Sequence, residues 1–260
     1  MSEVKIAPIP DLGQRTDEIT IYAGPCSVES AEQFDEVAEC IADLGLTWIR
    51  GGAFKPRTNP HSFQGLGEEA LKIMKSAGDR YNLKTLTEVM DSAHCQLVAD
   101  YVDGLQVGAR NFQNFSLLKK IGEVTADTHQ MVLYKRGFAG TIAEWLAATD
   151  YITDHGNTNV VLCERGIRTF ETATRFTLDI AAVPVIHKQS LYPVCIDVSH
   201  PAGQRDLVPS LAKAAVAAGA DSLMIEVHPN PPVALSDGPQ QLTPAQFREL
   251  VAELRELAAV

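Results

Sequence analysis

The chain has 260 residues, and its 22 Lys and Arg against 33 Asp and Glu give a formal net charge of −11. An apolar content of 45% excludes intrinsic disorder, which requires few apolar residues and a high charge density. The acidic balance argues against nucleic acid as a partner. No apolar run approaches the roughly 20 residues that span a bilayer, and residues 1–5 do not begin a signal peptide, so we expect no membrane association.

Eight short β-rich apolar runs alternate with longer amphipathic segments along the chain. The runs are residues 20–23, 46–49, 84–87, 104–107, 131–134, 160–163, 193–196 and 222–225. The predicted helices are residues 30–44, 67–79, 92–101, 115–122, 141–154, 170–182, 206–219 and 243–258. Strict alternation implies a parallel sheet, and eight strands close a barrel of about 250 residues. We predict an α/β protein with a single (β/α)8 TIM barrel at residues 19–260, preceded by a short N-terminal extension at residues 1–18.

The five cysteines are odd in number and widely spaced, which makes structural disulfides improbable and favours a reducing, cytoplasmic location. Cys40 and Cys95 fall on predicted helices, and Cys163 and Cys195 fall inside predicted strands. We interpret these four as packing residues. Cys26 differs, because it directly follows the first strand.

Six cationic residues follow the predicted strands, where the active sites of such barrels lie. They are Arg50, Lys55, Arg57, Arg110, Lys135 and Arg165. Six positive side chains in one cavity repel each other unless anions are bound, and arginine matches phosphate and carboxylate with two parallel hydrogen bonds. A single Arg at one of these positions fits a solvated surface residue equally well. The whole set instead predicts that the cavity binds more than one anionic group, for example two phosphorylated substrates.

A second group has the chemistry of metal ligands and follows strands one, seven and eight. It comprises Cys26, His200, Glu226 and Asp237. A thiolate, an imidazole and two carboxylates suit a divalent transition metal such as Mn, Fe, Zn or Co. Alone, Cys26 reads as a small buried residue and His200 as a loop residue. Their convergence in a closed barrel favours a catalytic metal site with an open position.

Seven motifs resemble the type I 3-deoxy-D-arabino-heptulosonate 7-phosphate (DAHP) synthases, in particular their shorter beta branch. They are residues 23–27 (Ala-Gly-Pro-Cys-Ser), 51–58 (Gly-Gly-Ala-Phe-Lys-Pro-Arg-Thr), 108–111 (Gly-Ala-Arg-Asn), 135–137 (Lys-Arg-Gly), 199–200 (Ser-His), 226–231 (Glu-Val-His-Pro-Asn-Pro) and 236–239 (Ser-Asp-Gly-Pro). The motifs stand in family order from about residue 20 to residue 242. The family fold is a TIM barrel, in agreement with the strand count.

The resemblance implies that phosphoenolpyruvate and erythrose 4-phosphate condense to DAHP and phosphate, the first step of the shikimate pathway to the aromatic amino acids. It maps the metal ligands onto Cys26, His200, Glu226 and Asp237. The phosphoenolpyruvate contacts it implies are Arg50, Lys55, Gly108, Ala109, Arg110, Lys135 and Arg165. Arg57 and Thr58 would hold the acceptor phosphate. Among these we expect Lys55, Cys26 and His200 to be catalytic, with Lys55 as a proton donor.

Departures from the family pattern keep alternatives open. Residues 190–193, 197–200 and 59–61 differ from the usual stretches, which leaves room for a paralogue in secondary metabolism with another acceptor. The nearest rival is 3-deoxy-octulosonate-8-phosphate synthase, although its usual Ala-Asn-Arg-Ser element is Lys-Pro-Arg-Thr here. A catalytically silent binding subunit is a third reading. The short N-terminus predicts no appended regulatory domain, and the resemblance implies a homo-oligomer, tetramer or dimer, open to control by a partner protein.

Overall fold

The computed structural model describes residues 19–57 and 59–258, so the predicted N-terminal extension and Thr58 lie outside the described residues. Eight parallel strands pair in chain order, and β8 pairs with β1 to close the barrel. The strands are β1 (Thr20–Gly24), β2 (Trp48–Arg50), β3 (Lys84–Glu88), β4 (Gly104–Val107), β5 (Met131–Lys135), β6 (Val160–Glu164), β7 (Val194–Asp197) and β8 (Ser222–Glu226). The predicted TIM barrel is confirmed.

Nine α-helices lie among the described residues. They are α1 (Ala31–Asp43), α2 (Glu68–Tyr81), α3 (Cys95–Ala99), α4 (Phe115–Val124), α5 (Ile142–Thr153), α6 (Ala182–Gln189), α7 (Ser199–Ala202), α8 (Val208–Ala217) and α9 (Pro244–Ala258). Several of these helices begin directly after a residue whose side chain accepts a hydrogen bond from a backbone N–H of the first turn. Ser30 accepts a hydrogen bond from the Gln33 backbone, and Thr141 forms a capping box with Glu144. None of the helices within these residues is long and apolar enough to cross a membrane.

Two apolar clusters hold the barrel together. The larger one lies between the strands and the surrounding helices and includes Phe34, Trp145 and Phe247, all fully buried. The smaller cluster fills the barrel interior. Its members are Tyr22, Leu86, Met131, Leu133, Val161, Cys163, Cys195 and Met224. All five cysteines are buried and free, as predicted, and Cys40, Cys95, Cys163 and Cys195 pack within the protein. The interior of the barrel is therefore packed with apolar side chains.

The sixth helix was predicted wrongly. The sequence pattern favoured residues 170–182, but the helix occupies Ala182–Gln189, with Pro184 in its first turn, where no intrahelical N–H is needed. The segment from Arg165 to Ala181 forms an irregular loop, which we call the β6–α6 loop. An antiparallel bridge joins Ile167 and Thr177 within it, and side chains such as Glu171 bond its backbone amides. Local side-chain bonds of this kind compete with helix formation.

Candidate active site

A cavity of about 290 Å3 opens at the carboxyl ends of the strands. All six cations predicted to converge there line it, together with His200 and Asp237. Its other lining residues include Gly108 and Ala109, which precede the exposed Arg110. The structure therefore places these predicted residues around one cavity.

Two of the arginines are buried with hydrogen-bonding capacity left over. Arg50 and Arg165 are each 4% exposed, yet Arg50 Nε and Arg165 Nη1 have no hydrogen-bond partner within the described residues. The guanidinium of Arg165 lies 4.1 Å from the ring centre of Phe176 and 4.9 Å from that of Phe138. Burial lowers the pKa of Arg165. Buried cations with unpaired donors favour an anionic ligand in the cavity.

The four predicted metal ligands meet beside this cavity. One ligand atom each from Cys26, Glu226 and Asp237 lies within 4.8 Å of the others, and Cys26 and Glu226 are fully buried. His200 Nε2 lies 3.6 Å from Glu226 Oε1 and 3.9 Å from Asp237 Oδ2. Residues far apart in sequence thus present sulfur, nitrogen and oxygen donors to one point. This donor set fits a divalent transition metal.

The protonation of the donors also fits a metal. Burial raises the pKa of the Cys26 thiol to about 12, and nearby Glu226 adds to the rise, so cation binding must displace its proton. Burial lowers the pKa of His200 despite the acidic neighbours Asp197 and Glu226, which keeps the ring neutral and able to coordinate at pH 7. Asp197 Oδ2 lies 2.7 Å from His200 Nδ1, which leaves Nε2 facing the other donors.

Asp237 has an unusual backbone. Its φ is 47° and its ψ 30°, in the left-handed region that non-glycine residues seldom adopt. Such a conformation costs about 1–3 kcal/mol and persists where surrounding contacts hold it. The side chain accepts a 3.0 Å hydrogen bond from Arg175 Nη1. A strained residue held in this way at a predicted ligand position is consistent with a functional constraint.

Lys55 links the two predicted groups. Its ammonium lies 3.0 Å from the Cys26 carbonyl oxygen and 3.1 Å from Cys26 Sγ. Burial lowers the pKa of Lys55, but the neighbouring acidic groups Cys26 and Glu226 outweigh burial and raise the net pKa, so the amine is protonated at pH 7. A charged amine between the cavity and the metal donors can give up a proton to a reacting oxygen.

Sequence reasoning missed several residues of the site. Arg175 lines the cavity from the β6–α6 loop, in a segment that had been predicted as helix. Asp197 is fully buried and lies 2.6 Å from Lys135 Nζ as well as beside His200. Glu88 and Gln106 also line the cavity, and Gln106 Nε2 donates to Glu88 Oε2 at 3.2 Å. The only signal for Asp197 and Glu88 was their position at strand ends.

Comparisons with known proteins identify the family of the chain. The model of the DAHP synthetase I family matches residues 12–259. A phospho-2-dehydro-3-deoxyheptonate aldolase of Thermotoga maritima is 52% identical over 239 residues, which cover 92% of this chain and 70% of the relative. A 2-dehydro-3-deoxyphosphooctonate aldolase of Caulobacter vibrioides is 32% identical over 262 residues, covering 92% of this chain and 87% of the relative.

Solved structures give the same result. A crystal structure of DAHP synthase from Thermotoga maritima has a TM-score of 0.88 at 51% identity, covering 93% of this chain and 69% of that one. A truncated form of the synthase from the same organism has a TM-score of 0.85 at 48% identity, covering 93% of this chain and 87% of that one. Motifs, barrel and similarity over nearly the whole length lead to one conclusion: the chain belongs to the DAHP synthetase I family.

Proposed function

We propose that this protein condenses phosphoenolpyruvate with erythrose 4-phosphate to give DAHP and inorganic phosphate. The observation that carries the proposal is the meeting of six cationic side chains at one cavity with four metal-type donors, of which His200 and Asp237 line the cavity and Cys26 and Glu226 lie beside it. The reaction needs both groups, because two anionic substrates must be held together while charge develops on an aldehyde oxygen. The name of the Thermotoga relative supports the same chemistry.

The cations provide binding and orientation. We assign phosphoenolpyruvate to Arg50, Lys55, Lys135, Arg165, Arg110 and the Gly108–Ala109 backbone, and the acceptor phosphate to Arg57 and Thr58. Holding two like-charged substrates in reacting geometry lowers the entropic part of the activation free energy, since the reacting groups no longer have to meet by collision. The stacked rings of Phe138 and Phe176 fix the plane of Arg165 against one wall of the cavity.

Cys26, His200, Glu226 and Asp237 would hold a divalent cation, Mn, Fe, Zn or Co. When bound there, such an ion supplies a Lewis acid for the acceptor aldehyde. The C3 carbon of phosphoenolpyruvate forms a bond to the aldehyde carbon, and Lys55 gives a proton to the aldehyde oxygen as it becomes a hydroxyl. Water then adds at C2 of the former phosphoenolpyruvate and loses one proton, which restores the Lys55 ammonium. The bond from C2 to the phosphate oxygen breaks as the new C2 hydroxyl becomes a ketone, and the hydroxyl proton leaves with the phosphate.

The test is a phosphate-release assay of metal-loaded protein with phosphoenolpyruvate and a panel of aldose phosphates. We expect turnover with erythrose 4-phosphate at least tenfold faster in kcat/KM than with arabinose 5-phosphate or ribose 5-phosphate. Preference for arabinose 5-phosphate would identify an octulosonate-type paralogue, which is the activity in the name of the Caulobacter relative. Binding of phosphoenolpyruvate without phosphate release from any aldose would instead indicate a silent binding subunit.

We also propose that the protein works in the cytoplasm. Five buried, free cysteines support a reducing compartment, because none depends on a disulfide for its packing. From the family resemblance we also propose that the protein forms a homo-oligomer, a tetramer or dimer, and that a partner protein regulates it.

A further inference from the structure

Gln240 lies between two of the predicted metal ligands. It is 2% exposed and belongs to the 3-10 turn Gly238–Gln240, which directly follows Asp237. Its Nε2 donates to Glu226 Oε2 at 2.6 Å, and its Oε1 accepts from Arg175 Nη1 at 2.8 Å. The same Arg175 nitrogen donates to Asp237 Oδ2 at 3.0 Å. One amide and one guanidinium therefore connect the two carboxylates.

These partners determine the orientation of the amide. Rotating the Gln240 amide by half a turn would place its oxygen against the Glu226 carboxylate and its NH2 group against the Arg175 guanidinium. Two acceptors would then face each other on one side and two donors on the other. Glu226 is fully buried, so an oxygen that lost this bond would carry an unmet desolvation cost. The amide is thus held in the one orientation that fixes the Glu226 carboxylate.

The neighbouring Gln241 supports a third ligand. Its Oε1 accepts the backbone N–H of Cys26 at 2.9 Å, and its Nε2 donates to the Ser236 carbonyl at 2.8 Å. The turn itself fits closely, because a Cβ at Gly238 would lie 2.3 Å from the Pro231 carbonyl oxygen. The segment from Asp237 to Gln241 therefore supplies one predicted ligand and contacts two others.

A neutral amide is well suited to this place. The carboxylates of Glu226 and Asp237 repel each other, and the Cys26 thiolate adds a third negative charge once a cation displaces its proton. Arg50 Nη1 already lies 3.4 Å from Glu226 Oε1, so an amide at Oε2 orients the carboxylate without adding a second positive charge beside the metal site. Groups that orient ligands in this way usually change metal affinity by 10–100-fold.

We propose that Gln240 is a positioning residue that fixes Glu226 for the divalent cation, and that Arg175 extends this link to Asp237 and the β6–α6 loop. The inference depends on the proposed metal site. It assigns a role to a glutamine that follows the Ser236–Pro239 motif and that no step of the proposed reaction uses directly.

The test is a titration of metal-free protein with Co2+. Thiolate-to-cobalt absorption in the near ultraviolet reports coordination by Cys26, and the visible bands report ligand geometry. Gln240→Met keeps the side-chain length but removes both hydrogen bonds, and Gln246→Met is the matched control, since Gln246 is exposed at the start of α9. We expect the Co2+ dissociation constant of Gln240→Met to rise 10–100-fold, with altered visible bands, while the control stays within twofold of wild type.

A second variant covers the case in which Gln240→Met does not fold. Gln240→Ala deletes the amide without adding bulk and should give the same loss of cobalt affinity. Wild-type affinity and spectra in the folded variants would overturn the inference while leaving the metal site intact. A wild-type protein that binds no Co2+ through a thiolate would instead refute the metal site, and with it the role of Gln240.

Discussion

Arg136 offers a sharp test of how the β6–α6 loop is held. It follows β5, and its Nη1 lies 3.1 Å from Glu164 Oε2 and 2.7 Å from Asp179 Oδ2. Glu164 is fully buried and also accepts the Gly166 backbone N–H at 2.6 Å. Arg136 therefore neutralises the carboxylate that anchors the beginning of the loop, and Arg136→Met would leave this carboxylate buried without its counter-charge.

The loss of stability in Arg136→Met depends on whether Glu164 stays ionised or takes up a proton. Breaking a buried ion pair from one side costs about 3–5 kcal/mol. Glu164 can instead take up a proton, which at pH 7 costs about 3.7 kcal/mol relative to an ordinary glutamate pKa of about 4.3. Wild-type Glu164 already bears part of this cost, because its pKa is raised by burial, so we expect Arg136→Met to lower the free energy of unfolding by more than about 1 but less than about 3.7 kcal/mol at pH 7.

The pH dependence has a definite sign. Burial already raises the pKa of Glu164 in the native protein, against the opposing charge of Arg136, and removing that charge raises the pKa further. A carboxyl group whose folded pKa exceeds its unfolded pKa stabilises the fold at low pH, and this stability is lost as pH rises through the folded pKa. The deficit of the variant that comes from Glu164 should therefore shrink to less than about 1 kcal/mol at pH 5.

Urea unfolding at pH 5 and pH 7, at equal protein concentrations, measures both quantities. The control is Arg248→Met, because Arg248 pairs with Asp43 at 2.9 Å with both side chains largely exposed, and such pairs contribute less than about 1 kcal/mol. The reasoning fails if Arg136→Met lies within 1 kcal/mol of wild type at pH 7, or if its deficit does not decrease at pH 5.

Two further predictions concern activity. Gly108→Ala would bring a Cβ to 2.0 Å from Glu88 Oε1, so either the carboxylate or the turn carrying Arg110 must move; we expect kcat/KM for phosphoenolpyruvate to fall about 100-fold in steady-state assays, and an unchanged value would contradict the close packing described. Exhaustive chelation should abolish phosphate release and added Mn2+ or Co2+ should restore it; turnover that survives chelation would rule out the proposed role of Cys26.

The sequence predicted the features that depend on local pattern and position. Alternating strands and helices predicted the barrel, which the structure confirms. The rule that strand ends converge predicted that Arg50, Lys135 and His200 lie together, and all three line the cavity, since this needs only the order of the elements and the length of the strands.

The features that escaped prediction depend on contacts between distant loops. The β6–α6 loop has helical spacing in its apolar residues, but the side chains of Thr169, Thr174 and Glu171 bond local backbone groups instead. Arg175 therefore could not be placed in the cavity from the sequence. The role of Gln240 could not be predicted from the sequence either. A buried glutamine is identified by its hydrogen-bond partners, and the tertiary fold brings both partners, Arg175 and Glu226, close to it.

Closure of the barrel has a consequence for the newly made chain. β1 pairs with β8 in a register that sets Gly24 opposite Glu226, two hundred residues apart in the sequence. Cys26 therefore gains its carboxylate neighbours only after the last strand has left the ribosome and docked. An unfinished chain has no complete set of donors, so metal uptake would mark the end of folding and separate finished molecules from partial ones.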